Sequence, residues 1–429
     1  MKNPKKIVVI GGGFAGIEFV KQLSNSPAYQ ITLVDSNNYN FFPPLIYQVS
    51  TGFMEPSAIS YPFRKILRKM KNVGFRLGAL EKVVPEENKV VLNNGELEYD
   101  ILVMATGTET NFFGNQNIAE KSLPMKTISD ALLLRNKILN RLDRATRLKD
   151  LEKRKRHLTF VIAGAGLTGV ELSGILAEMK ASIITKDYPE LKESELGDIY
   201  LIDGQDSVIA AMSEKSQDYT AKQLTELGVK IKMNTLVKDF DGETVSLSNG
   251  TQIESHNLIW AARVSAKTFE GLNKDELGPG RRMRSDRFNR VAGYENIYAL
   301  GDCAIIEGDS DYPKGHPQLV QPALQQANNL AANLKKDISD WKQFQYTDKG
   351  SLAIIGRNKA LLDLPKQKYS IGGFIAWFIW IFVHIMGLMN FKNRVKMFYN
   401  WIGYYIYKDQ YFRMIIEPSK GVKNEHTSP

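Results

Sequence analysis

The chain has 429 residues, 43% of them hydrophobic, and a formal net charge of +9. That length and apolar content support two or three domains with cores of their own. One cysteine excludes a disulfide scaffold and five histidines show no metal-ligand spacing. The positive charge comes without a nucleic-acid recognition motif, so neither metal nor nucleic acid is expected as a partner.

The first strand, Ile7 to Ile10, begins so early that no signal peptide is expected. It ends in Gly11-Gly12-Gly13-Phe14-Ala15-Gly16, a helical pattern follows, and a second apolar run closes at Asp35. Strand, glycine-rich turn, helix, strand and acid together form the dinucleotide-binding half-unit. Gly11 makes the turn, Gly13 admits the phosphates, and Gly16 lets the helix sit on the strand. The helix N-terminus then offers N–H groups to a pyrophosphate, and Asp35 accepts from a ribose hydroxyl.

Asn40-Phe41-Phe42-Pro43-Pro44-Leu45-Ile46-Tyr47-Gln48 reads as an ordered loop near the ligand ends of the strands. A helix is expected over 59–70. Short strands follow over 73–100, with a hairpin at Asn94-Gly95. The apolar strand ending in Ala105-Thr106-Gly107 suits backbone passing close to a cofactor.

Residues 129–156 read as one long charged helix. The opening pattern then returns: a strand over 158–163, Gly164-Ala165-Gly166-Leu167-Thr168-Gly169, a helix, and a strand closing at Asp203. The gap before Asp203 is long, so an insertion is expected there. Two such units imply two dinucleotides and electron transfer between them. The strand before Gly301-Asp302 is expected to complete the first unit, with Asp302 accepting from a sugar or ribityl hydroxyl. A helix starting near Gln321-Pro322-Ala323 would point its free N–H groups at a flavin carbonyl.

Residues 370–391 contain no Asp, Glu, Lys or Arg. As one helix they would extend about 33 Å, enough to span a bilayer. A spanning helix, a buried helix and a monotopic anchor are all readings of this run. Lys392, Arg394, Lys396 and Lys408 interleaved with Phe398, Tyr399 and Trp401 favour the anchor, attracted to anionic lipid. The aromatic stripe also suits a dimer surface.

These motifs, with Phe42 to Gly52, Ala299 to Cys303, His316 to Gln326 and the Phe391-Lys392-Asn393-Arg394 block, resemble the type II NADH:quinone oxidoreductases over nearly the whole chain. The resemblance implies an α/β fold of glutathione-reductase-like architecture, with two Rossmann-like domains and a membrane-associating helical segment. The expected division is 1–125 and 266–345 for FAD, 126–265 for NADH, and 346–429 for membrane anchoring and dimerisation. It implies non-covalent FAD, NADH as substrate, a membrane quinone as acceptor, a homodimer, and a peripheral place on the cytoplasmic face of the cell membrane, without proton pumping. Cofactor-binding residues would be Gly11, Gly13, Phe14, Ala15, Gly16, Asp35, Ala105, Thr106, Gly107, Gly164, Gly166, Gly169, Glu171, Asp203, Gly301, Asp302, Gln321, Pro322 and Ala323. Glu178 looks like the acid near the nicotinamide and quinone, a candidate proton donor or relay. Gln321 resembles the glutamine beside flavin and quinone.

Arg263 stands where the family usually has Gly, Val320 where it often has Ala, and Asp203 where Glu is common. Asp203 should still disfavour the 2′-phosphate of NADPH. A disulfide or sulfide reductase would need a cysteine pair, and Cys303 is alone. A soluble flavin-dependent NADH:acceptor reductase of ferredoxin type is the alternative.

Overall fold

Runs of β-branched residues broken by glycine-rich turns build two parallel sheets of five strands each. The computed structural model describes residues 3–192, 195–407 and 412–416. The first sheet runs in the order Ile297–Ala299, Ile101–Met104, Lys5–Ile10, Tyr29–Asp35, Val73–Leu77. The second runs Leu123–Pro124, Asn257–Trp260, Phe160–Ala163, Ile199–Ile202, Val229–Lys232. In both, the strand feeding the glycine turn is central and the order reverses beside it. That reversal opens the crevice where ligands bind in such sheets.

The duplication extends further. Each sheet is accompanied by a three-stranded antiparallel excursion, Leu80–Val84 to Gly95–Glu98 in the first half and Val237–Phe240 to Gln252–Glu254 in the second. The chain crosses between halves on an antiparallel pair, Thr108–Thr110 with Val264–Ala266. The strand Ile297–Ala299 joins the first sheet beside Ile101–Met104, almost two hundred residues later in the chain.

Several expected elements differ. The helix expected over 59–70 is a turn of helix at Pro56–Ile59, a short strand at Ser60–Pro62, and a helix at Phe63–Leu67. Pro62 removes a backbone donor and interrupts any helix. The long charged helix is two helices, Ile128–Arg147 and Leu151–Leu158, the second started by Asp150 accepting from the N–H groups of Glu152 and Lys153. The insertion before Asp203 contains a π-helical turn, Lys180–Ile184.

The charge-free run is not one helix. Its first residues form the third strand of an antiparallel sheet made of Ser351–Gly356, Lys359–Asp363 and Ser370–Gly372. Gly373, at a φ of 81°, turns the chain into the helix Phe374–Gly387, and Phe391–Tyr407 follows. Fourteen residues rise about 21 Å, short of a bilayer. Among the described residues no helix is long and apolar enough to cross a membrane. Lys408 of the interleaved cations lies outside the described residues.

The helix Phe374–Gly387 is apolar all round because its two faces have different work. Ala376, Trp377 and Trp380 pack into the core, while Phe374, Ile375, Phe378, Phe382 and Met386 are exposed. The next helix repeats the division. Met397 and Trp401 are buried; Phe391, Val395, Phe398, Tyr399 and Ile402 are exposed.

Candidate functional site

The two glycine turns are built alike. Gly11 has a φ of 101° and Gly164 one of 106°. A Cβ on Gly11 would meet Ala105 O at 2.3 Å, and one on Gly164 would meet Ala261 O at 2.5 Å. A Cβ on Gly16 would lie 1.9 Å from Gly11 O, and one on Gly169 1.8 Å from Gly164 O. Each first glycine therefore turns against the neighbouring strand, and each third glycine lets the helix close on the turn. Gly13 and Gly166 face open space, with nothing within 4 Å of where a Cβ would stand. Both cap their helices without a side-chain hydrogen bond, so the first-turn N–H groups are available to a phosphate.

Each turn is tied to the acid of the next strand. Gly12 N–H donates to Asp35 Oδ2 at 2.7 Å, and Ala165 N–H donates to Asp203 Oδ2 at 2.6 Å. Burial raises the Asp35 carboxyl above its ordinary value, against the opposing hydrogen bonds from Asn37 and Gly12. Asn40, buried, donates through Nδ2 to Gly12 O at 2.8 Å, and the Phe63 ring fills the space beside Gly12. The sequence placed Asn40 in a loop near the ligand ends and Phe63 in a helix, and showed neither of these contacts, because neither contact belongs to a local pattern.

Ala105 and Thr106 line the same crevice, and Thr106 Oγ1 is buried without a protein partner. Gly301 brings the last strand against two helix starts: its Cβ position is 3.3 Å from Ala323 Cβ and 3.4 Å from Ala15 Cβ. Gln326 Oε1 accepts from Gly301 N–H at 2.6 Å. The helix Val320–Leu334 has no side-chain cap, and Pro322 is buried in its first turn. Gly301, Asp302, Leu319, Pro322, Gln326 and Arg282 line one cavity. Burial raises the Asp302 carboxyl, opposed by Lys126 and Arg282. Burial lowers Lys126, which donates to Thr108 Oγ1 at 2.7 Å. The first open cradle, an unpartnered buried hydroxyl and a half-buried acid facing two cations fit the phosphates and polyol of a flavin dinucleotide, and the second cradle fits the phosphates of another dinucleotide. Lys126 and Arg282 left no sequence signal, since isolated cations are the rule on any surface.

Glu178 and Gln321 are far apart in sequence, and one strand connects them. Gln321 Nε2 donates to Gly350 O at 2.8 Å, and its Oε1 accepts from Lys349 N–H at 2.9 Å. The strand Ser351–Gly356 begins there. Its pairing register slips between Ile354 and Gly356. At that slip Ile354 N–H donates to Glu171 and Arg357 N–H donates to Glu178 Oε1. Glu171, 8% exposed, is pushed well above the carboxylate range by burial, against the Ile354 hydrogen bond. Glu178 is half-buried. Both acids line one narrow cavity with Tyr47, Gln48, Trp377 and Trp401. The strand thus holds a buried acid whose carboxyl burial pushes up and a half-buried acid, both lining one cavity with residues of the apolar helices. Arg263, by contrast, is exposed.

A doubled dinucleotide fold whose first sheet is completed by a late strand defines a pyridine-nucleotide-dependent flavoprotein oxidoreductase. The chain matches the pyridine nucleotide-disulphide oxidoreductase family over residues 5–327 and the NDH2 C-terminal domain over residues 349–408. It is 34% identical over 417 residues to the type II NADH:quinone oxidoreductase Ndh of Mycobacterium tuberculosis, covering 92% of this chain and 87% of that one. It is 31% identical over 415 residues to NdhA of the same organism, covering 92% and 86%. The structure of NDH2 from Plasmodium falciparum in complex with NADH shares the fold, with a TM-score of 0.86 at 23% identity over 96% of this chain and 100% of that one. The chain belongs to the type II NADH:quinone oxidoreductases.

Proposed function

We propose that this chain takes two electrons from NADH and delivers them through FAD to a membrane quinone, yielding NAD+ and quinol without pumping protons. The observation that carries this reading is the pair of open glycine cradles, each tied to its own acid, beside helices with an exposed apolar face. That face also argues against the soluble ferredoxin-type alternative.

Gly11, Gly13, Phe14, Ala15, Gly16, Asp35, Ala105, Thr106, Gly107, Gly301, Asp302, Pro322 and Ala323 would hold FAD, in a domain made of 1–125 and 266–345. Gly164, Gly166, Gly169 and Asp203 would hold NADH, in residues 126–265. When bound, FAD supplies the two-electron acceptor between nicotinamide and quinone. The residues supply position and charge: the uncapped first turns meet the phosphates, and the start of Val320–Leu334 favours negative charge beside it. Forming quinol from NADH and quinone takes up a net proton. Glu178, half-buried, would accept it from solvent, and Glu171, buried and pushed well above the carboxylate range, would hold it in the same cavity. Gln321 acts by fixing the strand that positions both acids.

The exposed side chains of the last two helices would enter the acyl boundary of the cytoplasmic leaflet, with Lys392 and Lys396 drawn to anionic headgroups. The same region, 346–429, is proposed to carry the homodimer contact.

The test is anaerobic. NADH should bleach the absorbance of the purified yellow protein, and a short-chain quinone should restore it. Bleaching without recovery would leave an NADH:acceptor reductase and remove quinone from the reading.

A further inference from the structure

The cavity between the acids contains a polar atom that the proposed proton route leaves unused. Gln48 is 1% exposed. Its Nε2 donates to the Tyr47 hydroxyl at 3.0 Å, and its Oε1 is buried without a hydrogen-bond partner. The backbone that carries this amide is held in place. Gln48 O accepts from the N–H groups of Phe53 at 2.8 Å and Met54 at 3.1 Å, and its helix, Ile46–Ser50, packs on Leu167–Met179, which carries Glu171. A buried carbonyl without a donor is costly, and such groups are normally paired.

Glu171 lines the same cavity and has the complementary need. As a neutral acid it carries an O–H, which requires an acceptor. The hydrogen bond it makes with Ile354 is one it accepts. Among the described residues around the cavity, the unpartnered buried side-chain acceptor is Gln48 Oε1.

We infer that Gln48 is a positioning residue for the proton on Glu171: its side-chain carbonyl accepts the Glu171 O–H, so that the protonated acid is held in one orientation inside the cavity. This rests on the reading of Glu171 as a proton holder. An acceptor for the neutral form favours that form, so removing it makes Glu171 more acidic.

The test uses the FAD-loaded enzyme and a short-chain quinone, with Glu171→Gln as reference. If activity needs protonated Glu171, the alkaline limb of the pH–kcat profile belongs to it and disappears in that variant. Gln48→Leu should move the limb to lower pH by about one unit. Gln48→Glu should move it the other way, because two carboxyls in one cavity share a proton. Independently of turnover, the infrared carbonyl band lost in Glu171→Gln should shift to higher frequency in Gln48→Leu, as a C=O does when its acid loses a hydrogen bond. A purely structural role for Gln48 would not move the limb in opposite directions. An unmoved limb and band in both Gln48 variants overturn the inference, and an indole fluorescence change alone would assign the amide to Trp401, whose Nε1 is also buried without a partner. A limb that persists in Glu171→Gln overturns the proton-holder reading itself. Should Gln48→Leu fail to bind flavin, Gln48→Met, which also lacks the carbonyl acceptor, takes its place, with the same expected shifts of limb and band.

Discussion

A Cβ on Gly174 would lie 1.7 Å from Ile355 O. This contact presses the strand Ser351–Gly356 of the C-terminal sheet against the helix Leu167–Met179 of the second dinucleotide unit. A second glycine does the same one turn along: a Cβ on Gly356 would lie 2.6 Å from Glu178 Oε1. The C-terminal sheet therefore sits directly on the helix that carries both acids.

Gly174→Ala should force that strand away from the helix. The collision is with backbone, so no rotamer relieves it, and the expected cost is roughly 1–3 kcal/mol or more. The N–H groups of Ile354 and Arg357 would leave Glu171 and Glu178. A lower thermal midpoint together with impaired quinone reduction is expected, while flavin bleaching by NADH persists. A variant with native midpoint and quinone turnover would show that the close approach is dispensable.

Asp203 should set the choice between NADH and NADPH. Its carboxylate is held by Ala165 N–H at 2.6 Å and Gln205 N–H at 2.9 Å, at the end of the strand where a ribose would lie. A negative charge there repels a 2′-phosphate. Asp203→Ser is expected to raise the NADPH-to-NADH ratio of kcat/KM by about tenfold, equivalent to ~1.4 kcal/mol. An unchanged ratio would place the ribose elsewhere.

Phe378 and Phe382 are 62% and 60% exposed on one face of Phe374–Gly387. Burying two such rings in a bilayer interface is worth roughly 3 kcal/mol or more, about a hundredfold in partitioning. The double change to Asp should abolish cosedimentation with anionic vesicles while NADH still bleaches the flavin. Retained cosedimentation would move the membrane face to another surface.

His157 should make stability sensitive to acid. Its ring stacks on His256 at 4.4 Å, and it is 8% exposed. Burial first, then His256, Arg144 and Arg141, lower its pKa to about 4. The unfolded chain binds a proton there at the ordinary histidine value of about 6.5. Between those values the unfolded state holds more protons, so stability falls as pH drops through the window. His157→Gln should flatten the urea midpoint between pH ~6.5 and ~4, by an amount of order 1 kcal/mol. An equal slope in both proteins would assign the acid sensitivity to other groups, such as His384, also lowered to about 4 by burial.

The glycine turns and their acids were legible because their chemistry is local. Gly16 and Gly169 are required within one turn by the close approach of Gly11 O and Gly164 O, and the positive φ of Gly11 and Gly164 marks the same local turn. The strand before Gly301 was legible for a similar reason: an apolar run ending in Gly-Asp needs a sheet to join. Local pattern failed where proline or a sheet edge intervened. Pro62 divides a stretch with helical composition, and Ser370–Gly372 belongs to a sheet although it opens a charge-free run.

The sequence by itself determined two dinucleotide units, an acid for each, an aromatic and cationic C-terminal segment, and the family. Only the tertiary structure decided that Gln321 grips Gly350, that the slipped strand serves Glu171 and Glu178 in turn, and that Gln48 faces the cavity they line. Backbone conformation and periodicity are set by neighbours in the chain and leave a mark within a few residues. Which N–H reaches Glu171 or Glu178 depends on the packing of elements more than a hundred residues apart, and that information is carried by shape and burial rather than by spacing.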